Sequence, residues 1–205
     1  MHQKRTEVTK RIPIPRKGTK FVARPLSHLK NSVPIVIAIR NMLKLSKTSK
    51  EVKQMIHQKL LKINNKQVKD FHDSIKLFNI FEADKPYLLT LTPTGRFTFN
   101  ETNDKKRLCK VINKKLLKNN QIQLNLHDGS NIITKDKIQN QDSIYLDFSN
   151  KISKHVPLEK GKSCLIISGR YLGKQGTITS IENKKAKVKL EDKEVELERR
   201  SIVVI

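Results

Sequence analysis

From Ser74 onward the apolar residues recur at every second position in short runs, the pattern of strands that bury one face. SIKLFNIF, YLLTLT and RFTF come first, with Pro93-Thr94-Gly95 as a turn between the last two, and read as a β-meander. A second set runs from Arg107 to Val111, then QIQLNLHDGSNII with Asp128-Gly129 as a hairpin turn, then SIYLDF. Over residues 161 to 192 the alternation is punctuated by Gly169, Gly173 and Gly176, and VELERR and SIVVI supply closing strands. Glycine at such points permits positive φ and close backbone approach. With 36% apolar and only 5% aromatic residues in 205, the cores are expected to be small and thin. Small modules follow, in place of one large domain.

Helical spacing belongs to the preceding segment. VPIVIAIRNMLKL, residues 33 to 45, predicts a mostly buried helix with Pro34 in its first turn, where the missing N–H costs nothing. Thr48 and Glu51 form a capping box for a second helix, whose Val52, Met55, Ile56 and Leu60 make one apolar stripe. LLKINNKQVKD then alternates around Asn64-Asn65, which tolerate positive φ and predict a tight hairpin. On the outer helical face Lys50, Lys53 and His57 follow i, i+3, i+7 spacing, with Lys47 in the turn before them and Arg40 and Lys44 one turn apart on the first helix. Glu51 is the one acid there, and the cap employs it. This face is expected to contact RNA.

The chain carries 43 Lys and Arg against 19 Asp and Glu, a formal charge of +24. Nine of these cations, including Lys4, Arg5, Lys10, Arg11, Arg16, Lys17, Lys20 and Arg24, fall in the first 32 residues against Glu7 alone, a local charge of +8. A segment so charged repels itself and is expected to order only where phosphates neutralise it. Nucleic acid is the partner such a field implies, because phosphate contacts release condensed counterions.

Other classes are disfavoured. The longest apolar stretch, Val33 to Ile39, is far short of the ~18 residues of a spanning helix, and the basic N-terminus does not read as a secretory signal, so a cytosolic location is expected. Cys109 and Cys164 sit in apolar, strand-like surroundings without Cys or His at metal spacing, and read as structural thiols. The glycine trio lacks the following helix of a dinucleotide site, since ITSI continues as strand. His127 and Asp128 read as turn residues, with no nucleophile or second base beside them. No catalytic residue, metal, cofactor or small-molecule substrate is expected.

The helix pair and hairpin resemble the S4 RNA-binding domain, with Asn65 where glycine is common. RLCKV followed by QLNLHDGSNI closely resembles the central domain of the ribosomal protein S4e family of archaea and eukaryotes, with Ser130 where that family often has a basic residue. Residues 161 to 192 resemble a KOW motif, the core of a small SH3-like barrel, with Arg170 and Lys174 in its loop as candidate phosphate contacts. ARPLSH and the HQKR start fit the same family; the arm lacks its usual tryptophan, and Phe71 to Ser74 lack its glycine-containing link. The resemblance spans nearly the whole chain. It implies an α+β, multi-module protein: a basic N-terminal extension (1–32), an S4-like RNA-binding domain (33–70), a central antiparallel β domain (71–157) and a C-terminal SH3-like KOW barrel (158–205).

The function implied is structural: a small-subunit ribosomal protein that binds folded rRNA in the cytoplasm, beside neighbouring ribosomal proteins, with a Lys- and Asn-rich composition closer to archaeal members. Two alternatives use the same modules. A non-ribosomal RNA chaperone, rescue factor or KOW-type transcription factor would share the basic surfaces. A pseudouridine synthase would need an aspartate in an Arg-Leu-Asp setting, whereas Arg107-Leu108 is followed by Cys109.

Overall fold

A computed structural model describes residues 2–191 and 193–205. The protein is mostly β with few helices, and the chain divides into two compact units. The first runs through Thr92 and adds Arg96–Asp104; the second holds Pro93–Gly95 and Lys105–Ile205.

In the first unit the basic arm is folded. β1 (His2–Lys4) pairs antiparallel with β2 (Phe21–Ala23), Ile12 is buried, and the Arg11 carbonyl accepts the Phe97 amide at 2.7 Å. Order in the arm thus comes from chain contacts, contrary to the expectation that phosphates alone would supply it. β3 (Ser32–Pro34) pairs with β6 (Ser74–Lys76), so Val33 and Pro34 end a strand and the first helix begins two residues later than the sequence predicts. That helix, α1 (Ile35–Ile37), continues as a π-helix over Ala38–Leu43, and Lys44 stops it with a left-handed φ of 58°. Ile35, Val36, Ile37, Ala38 and Ile39 are all buried. Burial on this scale, about 1.5–3 kcal/mol for each large side chain, outweighs their indifferent helix propensity.

Helix α2 (Ser49–His57) has the expected capping box: Glu51 N–H donates to Thr48 Oγ1 at 3.3 Å, and the Glu51 carboxylate accepts the Lys47 and Thr48 amides. Val52 is fully buried and Met55 and Ile56 are half-buried. Leu60 does not join them. The helix ends at His57, Lys59 takes a φ of 58°, and the chain turns Leu60 outward and Leu61 into the core.

β4 (Lys62–Ile63) and β5 (Lys66–Gln67) form the expected hairpin, with φ values of 50° and 63° at Asn64 and Asn65. This hairpin is the edge of a larger sheet in the order β5-β4-β7-β8-β9, completed by β7 (Ile80–Glu82), β8 (Pro86–Leu91) and β9 (Phe97–Glu101). Ile63 pairs with Phe81, and Asn64 Oδ1 accepts the Ile80 amide at 2.9 Å. The stretch 71–157 is therefore not one β region, because its first third extends the sheet begun at Lys62.

The second unit contains the remainder. β10 (Lys106–Leu116) pairs through its first half with β13 (Ser143–Asp147) and through its second half with β11 (Ile122–Leu126), with a bulge between Val111 and Asn113. The strand is twice as long as the sequence suggests, since the polar stretch after Val111 reads as a spacer yet its Asn113–Leu116 pair with Ile122–Asn125. β12 (Asn131–Thr134) and β14 (Ile152–Val156) complete a sheet in the order β12-β11-β10-β13-β14. Cys109, Val111, Leu124, Leu126, Ile138, Ile144 and Leu146 fill its core.

A second sheet has the order β18-β17-β16-β15-β19, from β15 (Ser163–Ile166), β16 (Gln175–Glu182), β17 (Lys185–Lys189), β18 (Glu194–Glu198) and β19 (Ile202–Val204). Its core takes Val156 and packs Tyr145 from the preceding sheet. Polar links hold the two sheets in one unit. Val204 N–H donates to the buried Ser143 hydroxyl at 3.0 Å, and Leu158 N–H donates to Asp142 Oδ1 at 3.0 Å. Both cysteines are free and buried, and burial pushes the Cys109 thiol up to about 12 and the Cys164 thiol up to about 11.

Candidate nucleic-acid interface

The arm presents its charge on a loop organised by one of its own cations. Arg5 Nη1 donates to the Pro15 carbonyl at 2.6 Å, Nε to the Thr19 carbonyl at 2.7 Å and Nη2 to Thr19 Oγ1 at 2.8 Å. Gly18, with φ at 138°, lies against this guanidinium, and a Cβ there would stand 2.9 Å from Nη2. Three nitrogens of Arg5 thus fold residues 15–19 into a loop, with Arg16 and Lys17 exposed on it and Lys20 exposed just after it. Lys4, Lys10 and Arg24 are also exposed. Arg11 is half-buried and donates to Asn31 Oδ1. The Arg24 carbonyl accepts a hydrogen bond from His72 Nδ1 at 2.9 Å, which fixes the tautomer because a carbonyl only accepts. Burial holds the His72 imidazolium below its ordinary range, so the ring is neutral at physiological pH.

The helix pair forms the second basic surface. Lys44, Lys47, Lys50, Lys53 and His57 are all exposed, as the periodicity predicts. Arg40 is different: half-buried, it donates to Ser49 Oγ at 3.1 Å and to Asn41 Oδ1 at 3.3 Å, tying the first helix to the second. Lys53 Nζ stands 5.1 Å from the centroid of the Phe71 ring, a cation–π contact at the rim of the face. The Glu51 carboxyl is held below its usual range, chiefly by the backbone amide of Lys47. Its charge is spent on the helix N-terminus. Lys59, Lys66 and Lys69, just beyond α2, are exposed too and were legible only as part of the segment's net charge.

In the second unit Arg170 and Lys174 are exposed in the loop between β15 and β16, whose Gly169 and Gly173 have φ of 91° and 85°. Gly176 serves close approach instead: a Cβ there would lie 2.6 Å from the Lys189 carbonyl oxygen. The next strands carry Lys185, Lys187 and Lys189 directly opposite Glu198, Glu196 and Glu194. Their charges compensate one another across the strand pair, whereas the β15–β16 loop, residues 167–174, contains no acid.

Two charged groups behave unlike surface cations. Arg107 and Asp128, both buried, form an ion pair, and Arg107 Nη2 also donates to Asn150 Oδ1 at 2.8 Å. Burial pushes the Asp128 carboxyl up, but Arg107 and the Ser130 hydrogen bonds outweigh it and hold the group below its ordinary range. Ser130 donates both its amide and its hydroxyl to Asp128, which closes the HDG turn internally. His127 Nδ1 accepts the Lys110 amide at 3.1 Å, a structural use of the ring. Among the described residues no group of three His, Cys, Asp or Glu is placed to hold a metal ion. No helix among them is long and apolar enough to cross a membrane.

Two family models match the chain: ribosomal family S4e over residues 83–152 and the KOW motif over residues 160–191. The small ribosomal subunit protein eS4 of Archaeoglobus fulgidus is 31% identical over 187 residues, covering 88% of this chain and 80% of that protein. That of Methanospirillum hungatei is 33% identical over 189 residues, covering 86% and 78%. The crystal structure of the 30S ribosomal protein S4e from Thermoplasma acidophilum superposes with a TM-score of 0.73 at 25% identity, covering 85% of this chain and 95% of that one.

Proposed function

The chain belongs to the small ribosomal subunit protein eS4 family, and from that premise we propose that it is a non-catalytic constituent of the small ribosomal subunit, binding folded rRNA in the cytoplasm. One observation carries the reading: the folded arm and the helix pair each expose a cluster of cations whose neighbouring acids, Glu7 and Glu51, are engaged in hydrogen bonds within the chain. Such clusters need phosphate. Structured RNA is recognised mainly through backbone and shape, which suits rigid elements carrying lysines.

In this reading residues 33–70 act as an S4-like RNA-binding element, with Lys44, Lys47, Lys50, Lys53 and His57 facing phosphates. Lys4, Lys10, Arg16, Lys17, Lys20 and Arg24 contribute from the arm, and Arg170 and Lys174 from the loop of an SH3-like barrel. Arg5, Arg11 and Arg40 act differently. Their guanidinium groups hold the arm loop, the arm's end and the helix pair in place, so they position the contact residues. Neighbouring small-subunit proteins complete the set of partners.

Binding of the full chain to a small-subunit rRNA transcript, measured across a salt series, tests this. About 6 to 10 phosphate contacts weaken affinity by roughly 10³ to 10⁵ between low and moderate salt; a flat response would refute the reading. Sedimentation separates a ribosomal constituent from a free factor: the chain should travel with small subunits through a moderate-salt wash.

A further inference from the structure

Phe21 opens β2 directly opposite Lys4 of β1, with 46% of its surface exposed. Every other large hydrophobic side chain so exposed among the described residues is Leu or Ile. Phe78, Phe81 and Phe97 are buried. Leaving a phenylalanine half in water forgoes roughly half of the burial energy of a large apolar side chain, and here it is forgone in the most basic segment of the chain.

The ring is also held. His2 lies 4.6 Å away between centroids at an interplanar angle of 66°, an edge-to-face arrangement that fixes the orientation of Phe21. Directly opposed residues in an antiparallel pair share a face of the ladder, so Lys4 stands on the same side as the ring. Lys20 Nζ lies over the ring, 5.5 Å from its centroid, a cation–π contact that covers one face and leaves stacking to the other. Arg16 and Lys17 are exposed on the loop that leads into Phe21, and Arg5 fixes that loop through its three hydrogen bonds. An oriented aromatic surface ringed by cations matches a ligand that is aromatic and anionic within a few ångströms. A nucleotide has that chemistry.

We propose that Phe21 is a stacking platform for an unpaired nucleobase of RNA, with Lys4, Lys17 and Lys20 meeting the adjoining phosphates. The proposal rests on the rRNA-binding reading above and adds a base contact to a surface otherwise built for phosphates. Base-on-aromatic stacking tolerates any base, because each has a π-face. The contact therefore anchors the arm at a bulge or loop without reading sequence.

The test uses the full chain and an in vitro transcript of archaeal small-subunit rRNA at fixed moderate salt. Phe21→Leu keeps an apolar side chain beside His2 but removes the π-face, and Phe21→Trp keeps the π-face. Stacking is worth about 1–3 kcal/mol per base, so the Leu variant should bind roughly 5- to 150-fold more weakly, and the Trp variant within about twofold of the parent. The slope of log affinity against log salt should not change, since no cation is removed. Ultraviolet cross-linking of the unaltered protein, read by mass spectrometry, should join Phe21 to a nucleotide. Undiminished binding by the Leu variant overturns the proposal while leaving the rRNA reading intact. An equal loss with Leu and Trp also overturns it. A Leu variant that binds rRNA normally but enters reconstituted subunits poorly would assign the ring to a protein neighbour. Absence of salt-dependent binding by the parent chain would instead remove the rRNA reading itself.

Discussion

Lys110 Nζ lies 2.7 Å from the Arg199 carbonyl oxygen and also donates to the Ile202 carbonyl, so a buried side chain of the first sheet in the second unit holds the C-terminal strand. Burial brings its pKa down from an ordinary 10.5 to about 7. Between these values the unfolded chain keeps the proton and the folded chain releases it. Stability therefore rises with pH across the window, by at most about 1.4 kcal/mol per pH unit for this group. Lys110→Met should remove that rise and take the side-chain donor from the Ile202 carbonyl, worth about 1–3 kcal/mol, while the Arg199 carbonyl keeps the Ile202 amide. In urea unfolding from pH 6 to pH 10, the gap between parent and variant should widen as pH increases. A constant gap would show that Lys110 does not titrate in this range.

The buried pair of Arg107 and Asp128 makes a different prediction. Asp128→Asn leaves the Arg107 charge inside the second unit with Asn150 as a remaining partner, and breaking such a pair costs about 3–5 kcal/mol. Because Asp128 is held below its ordinary range, the contribution is present above the unfolded value of about 4 and is lost as pH falls through the lower folded value. The difference between parent and variant should be full at neutral pH and shrink in acid. An Asn variant as stable as the parent at neutral pH would contradict this.

These two side chains mark where the sequence is silent. In RLCKV, alternation puts Arg107, Cys109 and Val111 on one side and Leu108 and Lys110 on the other, and a lysine in such a run reads as solvent-facing. The first half of β10 is covered on both sides, however, and the cover over Lys110 comes from residues 199–202, some ninety positions later. Local signals behaved better. Asn64-Asn65 took the positive φ that a two-residue hairpin requires, and Thr48 and Glu51 formed their reciprocal cap, because each depends only on residues within reach of one turn. The arm misled for the same reason as Lys110. Its charge is local, but the pairing of His2–Lys4 with Phe21–Ala23 and the use of Arg5 as a loop clasp depend on residues more than ten positions apart. The exposed helix-face cations were legible from spacing, whereas Arg40 was not separable from them until its bond to Ser49 was seen.

Gly176→Ala tests the glycine of closest approach. The added methyl would meet the Lys189 carbonyl oxygen at 2.6 Å and Val188 Cγ1 at 2.7 Å. The first is backbone held in the ladder between β16 and β17, so the strands must separate. Overpacking of this kind costs about 1–3 kcal/mol. Thermal unfolding of the full chain should show a clearly lowered midpoint, and an unchanged one would mean that the strand pair yields without cost.

The cap of α2 connects stability to the basic face. Thr48→Ala deletes the oxygen that accepts the Glu51 amide, at a cost of about 1 kcal/mol. Because Lys50, Lys53 and His57 ride on this helix, fraying its first turn should also weaken rRNA binding, and the loss should be greatest for contacts nearest the N-terminus. Chemical denaturation and rRNA affinity measured on the same variant check both halves; an affinity loss without a stability loss would place Thr48 in direct contact with RNA.

Charge removal on the helix face separates contact residues from positioning residues. Lys44, Lys47 and Lys50 are exposed, so replacing all three by Gln should leave the unfolding midpoint unchanged. If each meets one phosphate, the slope of log affinity against log salt should fall by about one per lysine. Arg40→Gln should behave otherwise. It removes one charge but also the bond to Ser49 that joins the two helices, so it should lower the unfolding midpoint and weaken binding with little change in slope. A triple variant with an unaltered slope would place this face away from RNA. An Arg40 variant that reduces the slope while leaving stability intact would return Arg40 to the contact set, because a residue acting only through helix position releases no counterions when it is removed.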